Sequence, residues 1–449
     1  MSMTDIDTKI EGSINSEKLD AFWMPFTPNR YFKKNPLFIS GGQGAYYSTP
    51  EGKQIFDGLS GLWCCGLGHC RTEIVDAVSK QIAQLDYSPA FQVGSPIAFE
   101  LADRLKQIAP ENLNHIFFTN SGSESADTSL KMARAYWRMK GQPGKTKLIG
   151  RSKGYHGVNF GGISVGGIGV NRKLFGSGLD TDHLPHTLLK ENAFSRGLPE
   201  HGVELADDLE ELIALHDASN IAAVIVEPFA GSAGVIVPPK GYLKRLRELC
   251  DKHEILLIFD EVITAFGRTG QAFAAQTFDT TPDIINIAKG LTNGTLPMGA
   301  VLAKDKIHAA FMERELPEKA IEFPHGYTYS AHPVCCAAAL ATLDLYEKDQ
   351  TYARVRELAP YFEDAIHQFQ GAPHITDIRN IGLAGALQFA PRGEDPTIRP
   401  YEVFRKCFEA GVYVRCGGNT IQIAPPFISE KEELDNLFNI LDDAVRATA

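Results

Sequence analysis

Three short apolar runs, each leading into a charged residue, constrain the fold of this chain more than any other feature. Ile221–Val226 leads into Glu227, Ile255–Phe259 into Asp260, and Ile284–Ala288 into Lys289. Runs this short and this continuously apolar suit strands buried on both faces of a parallel sheet. A helical pattern with Leu243, Leu246, Leu249 and Cys250 on one face joins the first two. Upstream, Ile116-Phe117-Phe118 ends in Thr119-Asn120-Ser121-Gly122-Ser123, and the pattern predicts a helix from about Glu124 to Met139. The alternation of strand and helix predicts an α/β layered domain. In such a sheet ligands bind beyond the carboxyl ends of the strands, where Glu227, Asp260 and Lys289 fall.

Two more helices precede this region. Ile74, Val75, Val78, Ile82 and Leu85 share one helical face, and a second helix opens at Ser95-Pro96 and carries Leu101, Leu105 and Ile108. Gly161–Gly169 is rich in glycine but lacks the dinucleotide fingerprint spacing and a strand before it, so it reads as a loop. From about residue 331 the character changes. Helices dominate between Ala337 and Gln370, and strand-like pieces follow at Ala384–Phe389 and Thr420–Ile423. A final helix opens with a capping box at Ser429-Glu430-Lys431-Glu432 and buries Leu434, Leu437, Phe438, Leu441 and Val445. This predicts a second, smaller α+β domain over 331–449.

The chain's 449 residues leave room for two or three folded units. Its net charge of −11 disfavours a nucleic acid or an anionic membrane as partner. The longest apolar run, Val334–Ala341, falls far short of the roughly 20 residues a membrane span needs. The first residues, Thr4–Lys9, are polar and lack the apolar stretch of a secretory signal. Cys64-Cys65 and Cys335-Cys336 are neighbours in sequence, which suits reduced thiols and predicts a cytoplasmic protein. His69 and Cys70 lie near the first pair. The spacing fits no common zinc pattern, so buried thiols in a turn, and no metal, are expected.

An acid and a lysine delivered to one sheet edge suggest a specific chemistry. A lysine amine forms a Schiff base with a carbonyl cofactor. Pyridoxal phosphate has that carbonyl, and a carboxylate at its ring nitrogen keeps the nitrogen protonated so that the ring can accept electrons. Asp260 and Lys289 suit these two tasks, although either residue alone would read as a solvated charge. The phosphate needs donors, and backbone N–H groups at a helix start with serine hydroxyls supply them. Ser121, Gly122 and Ser123 stand at such a start; an ordinary helix cap is the plain alternative.

Further motifs carry a resemblance. Ile258-Phe259-Asp260-Glu261-Val262, Phe266-Gly267-Arg268-Thr269-Gly270, Ala288-Lys289-Gly290 and Leu296-Pro297-Met298-Gly299-Ala300 resemble those of class III (omega) aminotransferases. The resemblance runs from Trp23-Met24-Pro25-Phe26 to Ala424-Pro425-Pro426. It implies a fold-type I transferase with a mainly parallel, seven-stranded sheet in a large domain over 70–330. The small domain over 331–449 then follows, and 1–69 packs against it and the active site. It further implies pyridoxal 5'-phosphate, with Lys289 as the Schiff-base lysine and Asp260 on the ring nitrogen. Val262 and Tyr155 would flank the ring, while Ser121, Gly122 and Ser123 hold the phosphate. Thr328 would reach the phosphate of a neighbouring subunit, which implies a homodimer or homotetramer with shared sites. Glu227 would order the cofactor side of the pocket, or equally be a strand-end charge paired locally.

On the substrate side, the resemblance implies that Arg415 grips a carboxylate, the recognition a guanidinium performs with two parallel hydrogen bonds. Phe26 and Trp63 would form aromatic walls, with core packing the alternative for both. Tyr155 and Gln422 complete the expected contacts. The implied reaction is ping-pong. An omega-amino acid such as beta-alanine gives up its amino group, leaving malonate semialdehyde, and pyruvate takes the group to become alanine. Donors such as 4-aminobutyrate, a diamine or an aromatic amine are alternatives, as are an aminomutase, a decarboxylase and a binding protein without catalysis.

Overall fold

The computed structural model describes residues 16–176 and 178–448. Thr4–Lys9, read above for a leader, lies outside them. Near the N-terminus, β1 (Gly41–Gln43), β2 (Tyr46–Ser48) and β3 (Gln54–Asp57) form a small antiparallel meander. The large sheet contains β4 (His115–Thr119), β5 (Lys147–Arg151), β6 (Thr181–Leu184), β7 (Ile221–Val226), β8 (Leu256–Asp260), β9 (Ile284–Ile287) and β10 (Gly299–Ala303). Its spatial order is β4-β10-β9-β8-β7-β5-β6. Only β10 runs against its neighbours; the contacts among β9, β8, β7, β5 and β6 are parallel. This is the mainly parallel, seven-stranded sheet that the resemblance implies.

The three diagnostic runs lie side by side as β7, β8 and β9, and every residue in them is buried. Their side chains alternate between two cores. Ala223, Ile225 and Ile258 join a cluster with Leu130, Ala133 and Trp137 of the helix Gly122–Met139, while Val224, Val226, Leu257 and Phe259 join one with Leu243, Leu246 and Leu249. The long helices of the chain include α1 (Thr72–Gln84), α2 (Pro96–Ile108), α3 (Gly122–Met139), α4 (Tyr242–Lys252), α5 (Pro333–Lys348) and α6 (Lys431–Arg446). Because helices cover both faces, the strands need no polar alternation, which is why the runs were continuous.

The C-terminal region carries its own antiparallel sheet of β11 (Ile375–Ile381), β12 (Ala384–Phe389), β14 (Arg415–Gly417) and β15 (Thr420–Ile423). A two-residue strand, β13 (Val412–Tyr413), leaves that sheet and pairs in parallel with β3. Arg268 ties the segments together. It is buried and donates to the Leu383 and Pro425 carbonyls at 2.8 and 2.9 Å and to Ser60 Oγ at 3.1 Å. Burial lowers its pKa to about 9.

Several local expectations need correction. Helix α3 begins at Gly122, two residues early, because Ser121 is its cap and accepts from Glu124 N–H at 3.2 Å. Ser95 precedes α2 without a side-chain cap bond. The cap of α6 sits one residue later than read: Glu430 N–H donates to Glu433 Oε2 at 2.9 Å, while the Ser429 hydroxyl turns back to the Pro426 carbonyl. The glycine-rich segment is no simple loop, since Phe160–Val165 is helical. Its glycines permit close packing: a Cβ on Gly161 would lie 2.4 Å from Asp127 Oδ1, and one on Gly162 2.2 Å from the His156 carbonyl oxygen. In α1 only Ile74 is buried, and Val75 and Ile82 are exposed, because α5 covers just one edge of the predicted stripe. Cys64 and Cys65 are half-buried and Cys70 is exposed, in place of the buried turn thiols expected.

Candidate active site

Parallel register brings the strand ends to one place. Val226 lies opposite Phe259, and Asp260 opposite Asn286, so Glu227, Asp260 and Lys289 project at one edge of the sheet. A cavity of about 120 Å³ opens there, lined by Gly122, Ser123, Tyr155, His156, Gly157, Glu227, Asp260, Val262, Ile263 and Lys289. Lys289 follows β9 with a left-handed φ of 45°, in a short turn over Lys289–Thr292. Burial lowers the pKa of its amine, and the charge of Arg415 acts in the same direction, against Asp260, Cys64 and Glu227.

The carboxylates are held by the backbone and by a histidine. Asp260 Oδ2 meets His156 Nδ1 at 2.9 Å, and Asp260 Oδ1 accepts from Val262 N–H at 3.2 Å. With the aspartate ionised, this contact fixes the histidine proton on Nδ1. His156 Nε2 is buried and has no partner among the described residues. Glu227 Oε1 accepts from Tyr155 N–H at 2.9 Å and Oε2 from Gly231 N–H at 3.2 Å. Burial nevertheless raises its pKa to about 7, with Asp260 adding to the rise. Burial likewise raises the Tyr155 phenol.

The helix start is shaped as a cradle. A Cβ on Gly122 would lie 2.9 Å from both methyls of Val262, and one on Gly157, at φ +90°, 2.4 Å from Ser123 Oγ. Ser121 Oγ accepts from Glu124 N–H and Ser123 Oγ accepts from Val158 N–H at 3.1 Å. Each hydroxyl therefore keeps its own hydrogen to donate. The first-turn N–H groups of α3 have no partner within the helix, so the cradle suits an anion.

Of the residues named from the sequence, the cavity gathers Gly122, Ser123, Tyr155, Glu227, Asp260, Val262 and Lys289. Ser121 borders it as the cap of α3. Arg415, on β14, lies opposite Gln422 on β15 and makes no ion pair with a described residue. Gln422 is buried; its amide donates to the Ser232 carbonyl at 3.0 Å, while its Oε1 is unpartnered among the described residues. Trp63 packs in the core against Phe229, with ring centres 6.5 Å apart. Phe26 and Thr328 are exposed and do not line this cavity. His156 was missed as a site residue. The signal available was its position inside Gly154-Tyr155-His156-Gly157, beside the residue that was named.

Comparison with known proteins places this geometry in a family. Residues 29–445 match the model of Aminotransferase class-III. The chain is 58% identical over 438 residues to beta-alanine–pyruvate aminotransferase of Pseudomonas aeruginosa, covering 97% of this chain and 98% of that protein. It is 57% identical over 430 residues to omega-amino acid–pyruvate aminotransferase of Pseudomonas putida, covering 95% and 96%. Among solved structures, an amine transaminase from an uncultivated Pseudomonas species, in a PLP-bound form, superposes with a TM-score of 0.88 at 35% identity over 95% of this chain and 99% of that one. The chain belongs to the class III aminotransferases, enzymes that depend on pyridoxal phosphate.

The residues present fit that cofactor. A half-buried amine, a buried carboxylate backed by a histidine, and a glycine–serine cradle at a helix start face one cavity. These are the donors that an aldehyde, a pyridine nitrogen and a phosphate require.

Proposed function

We propose that this enzyme moves an amino group from an omega-amino acid, beta-alanine in the first place, to pyruvate, giving malonate semialdehyde and alanine. The observation that carries the reading is the near-full-length identity to relatives with that named activity, combined with a guanidinium at Arg415, near the lysine, that has no ion-pair partner among the described residues. Lys289 would anchor the cofactor, Asp260 would pair with its ring nitrogen, and Ser121, Gly122 and Ser123 would hold its phosphate, with Val262 and Tyr155 on either side. When bound, pyridoxal phosphate supplies an aldehyde that condenses with amines and a protonated ring that draws electrons from carbon.

The chain's own residues do the rest. The Lys289 amine, with its pKa lowered by burial, can hold or release a proton at the amine-bearing carbon. His156 fixes the Asp260 carboxylate, so that its charge stays aimed at one point. Glu227 fixes the Tyr155 backbone from below. Arg415 grips the carboxylate of pyruvate and swings aside for amines that have none; the glycines at 417 and 418 leave it room. Phe26, Trp63 and Gln422 complete the substrate side.

The active enzyme is a homodimer or a larger assembly of dimers. Trp23, Phe26, Phe91 and Tyr329 are all more than half exposed, apolar groups that a second copy would cover. Thr328 is exposed beside Tyr329, with its carbonyl accepting from Tyr87 Oη–H at 3.1 Å, where it could serve the partner's site. No helix among the described residues is long and apolar enough to cross a membrane, and a cytoplasmic location is part of this reading.

Stepwise addition to purified holoenzyme tests the donor and acceptor. Beta-alanine alone should abolish the visible cofactor band, and pyruvate should then restore it with one alanine formed per site. A band indifferent to beta-alanine but lost with 4-aminobutyrate, a diamine or an aromatic amine would reassign the donor.

A further inference from the structure

Beside the lysine turn lies a pair of thiols that the reaction does not use. Cys64 Sγ and Cys65 Sγ are 3.7 Å apart, both half-buried and both reduced. Two glycines in left-handed conformations make room for them. A Cβ on Gly61, at φ +67°, would lie 3.2 Å from each sulfur, and one on Gly294, at φ +69°, 3.0 Å from each. Both glycines are tied to their surroundings by backbone hydrogen bonds, Gly294 directly to the lysine turn. Gly294 N–H donates to the Lys289 carbonyl at 3.2 Å, and Gly61 N–H donates to Asp57 Oδ2 at 2.6 Å. The Asp57 carboxylate also holds His69, at 2.7 Å.

We propose that Cys64 and Cys65 form a paired-thiol modification site at which a hydroperoxide closes a disulfide between adjacent residues. The Cys64 thiolate attacks the peroxide oxygen; the O–O bond breaks, leaving a sulfenic acid and hydroxide. The Cys65 sulfur then displaces that sulfenic oxygen as water, and the S–S bond forms. In sum, two thiols and one hydroperoxide give one disulfide, water and the reduced alcohol or water. Cys64 suits the first step, because its hydrogen bond with Cys65 favours its thiolate.

Geometry makes such a bridge reversible. Adjacent Cα atoms sit about 3.8 Å apart across a trans peptide. Relaxed disulfides span about 4.4–6.8 Å between Cα atoms, so this one would be strained and easily reduced. Closing it draws the sulfurs from 3.7 Å to about 2.05 Å and pulls on the turn that carries Trp63 and on the niche against Gly294. The bridge therefore disturbs the lysine turn when it forms and releases it under thiol reductants.

Mass spectrometry of the intact holoenzyme tests this independently of catalysis. Protein desalted from reductant is treated with hydrogen peroxide, alkylated and digested. The peptide holding residues 64 and 65 should appear about 2 Da lighter and resist alkylation until dithiothreitol is added. This should occur before the buried Cys335 and Cys336 change, and transaminase activity should fall and recover with the lighter species. In a Cys65→Ser variant the same treatment should instead add about 16 Da to Cys64, trapped by a sulfenic-acid reagent. Full alkylation of both residues after peroxide, or a lighter species only in denaturant, would overturn the proposal. The wild-type readout stands even if the variant folds poorly.

Discussion

The two sides of the site are built from different material. The cofactor side hangs on buried strands: β7, β8 and β9 end in Glu227, Asp260 and Lys289, and their register fixes where those groups meet. The substrate side hangs on a loop and a short edge strand: Phe26 is 70% exposed, and Arg415 sits on three-residue β14. The first side gathers its groups within one chain, save Thr328, which would come from a partner. The second is open, and its exposed aromatic residues lie where a partner would pack. A rigid sheet can hold a cofactor in one pose, whereas recognition of two unlike substrates needs parts that move.

The largest effects should come from the buried side. Lys289→Ala should lower kcat by at least about 10³-fold, since it removes both the anchoring amine and the proton-transfer group. Circular dichroism should show an unchanged fold. Asp260→Asn should lower kcat by about 10²-fold or more, because the fixed charge facing the ring is gone. His156→Ala should cost about 10–100-fold, the worth of one charge-assisted hydrogen bond. Were His156→Ala to match Asp260→Asn, the histidine would be doing more than orienting the carboxylate.

That same division explains what could be read from the sequence. The strands β7, β8 and β9 were legible because burial on both faces leaves an unmistakable apolar run, and the charge that ends each run stands out against it. Helices α4 and α6 were legible from periodicity, and Leu243, Leu246, Leu434 and Leu437 are all buried as predicted. Ser121 was legible only as part of a capping segment, since the reading placed the helix start near Glu124. Val262 and Tyr155 came from motif resemblance, since nothing in their own spacing marks them. His156 escaped because its partner, Asp260, lies 104 residues away, and only the fold brings them to 2.9 Å. The reading of Gly161–Gly169 as a loop failed over its first half, inside the helix Phe160–Val165, because glycine served close packing there rather than a turn.

On the substrate side, smaller and more selective effects are expected. Arg415→Ala should raise KM for pyruvate by about 10–100-fold, the value of a guanidinium–carboxylate contact. KM for an amine without a carboxylate should barely change, because the swung-out arginine makes no bond to it. Equal losses for both substrates would mean that Arg415 supports the pocket wall rather than reading the acceptor, and the contrast between the two sides would weaken.

The mildest test uses acidity to ask whether the buried side stores a folding cost. Below pH 4.5, its ordinary value, the Glu227 carboxyl is protonated in folded and unfolded chains alike. Between there and about 7 the folded form retains a proton that the unfolded chain has released. Raising pH through that window therefore favours unfolding, by about 1.4 kcal/mol per pH unit while this group titrates, and the loss is complete above about 7. Glu261, raised to about 7 by burial, acts in the same direction. Thermal melts of cofactor-free protein from pH 5 to pH 8 should thus show a falling Tm. Glu227→Gln should flatten that slope by about half. Its absolute Tm can shift either way, because one amide hydrogen would then face the N–H of Tyr155 or Gly231. An unchanged slope would mean that Glu227 is ionised throughout, held by those two donors, and that the floor of the site carries no such cost.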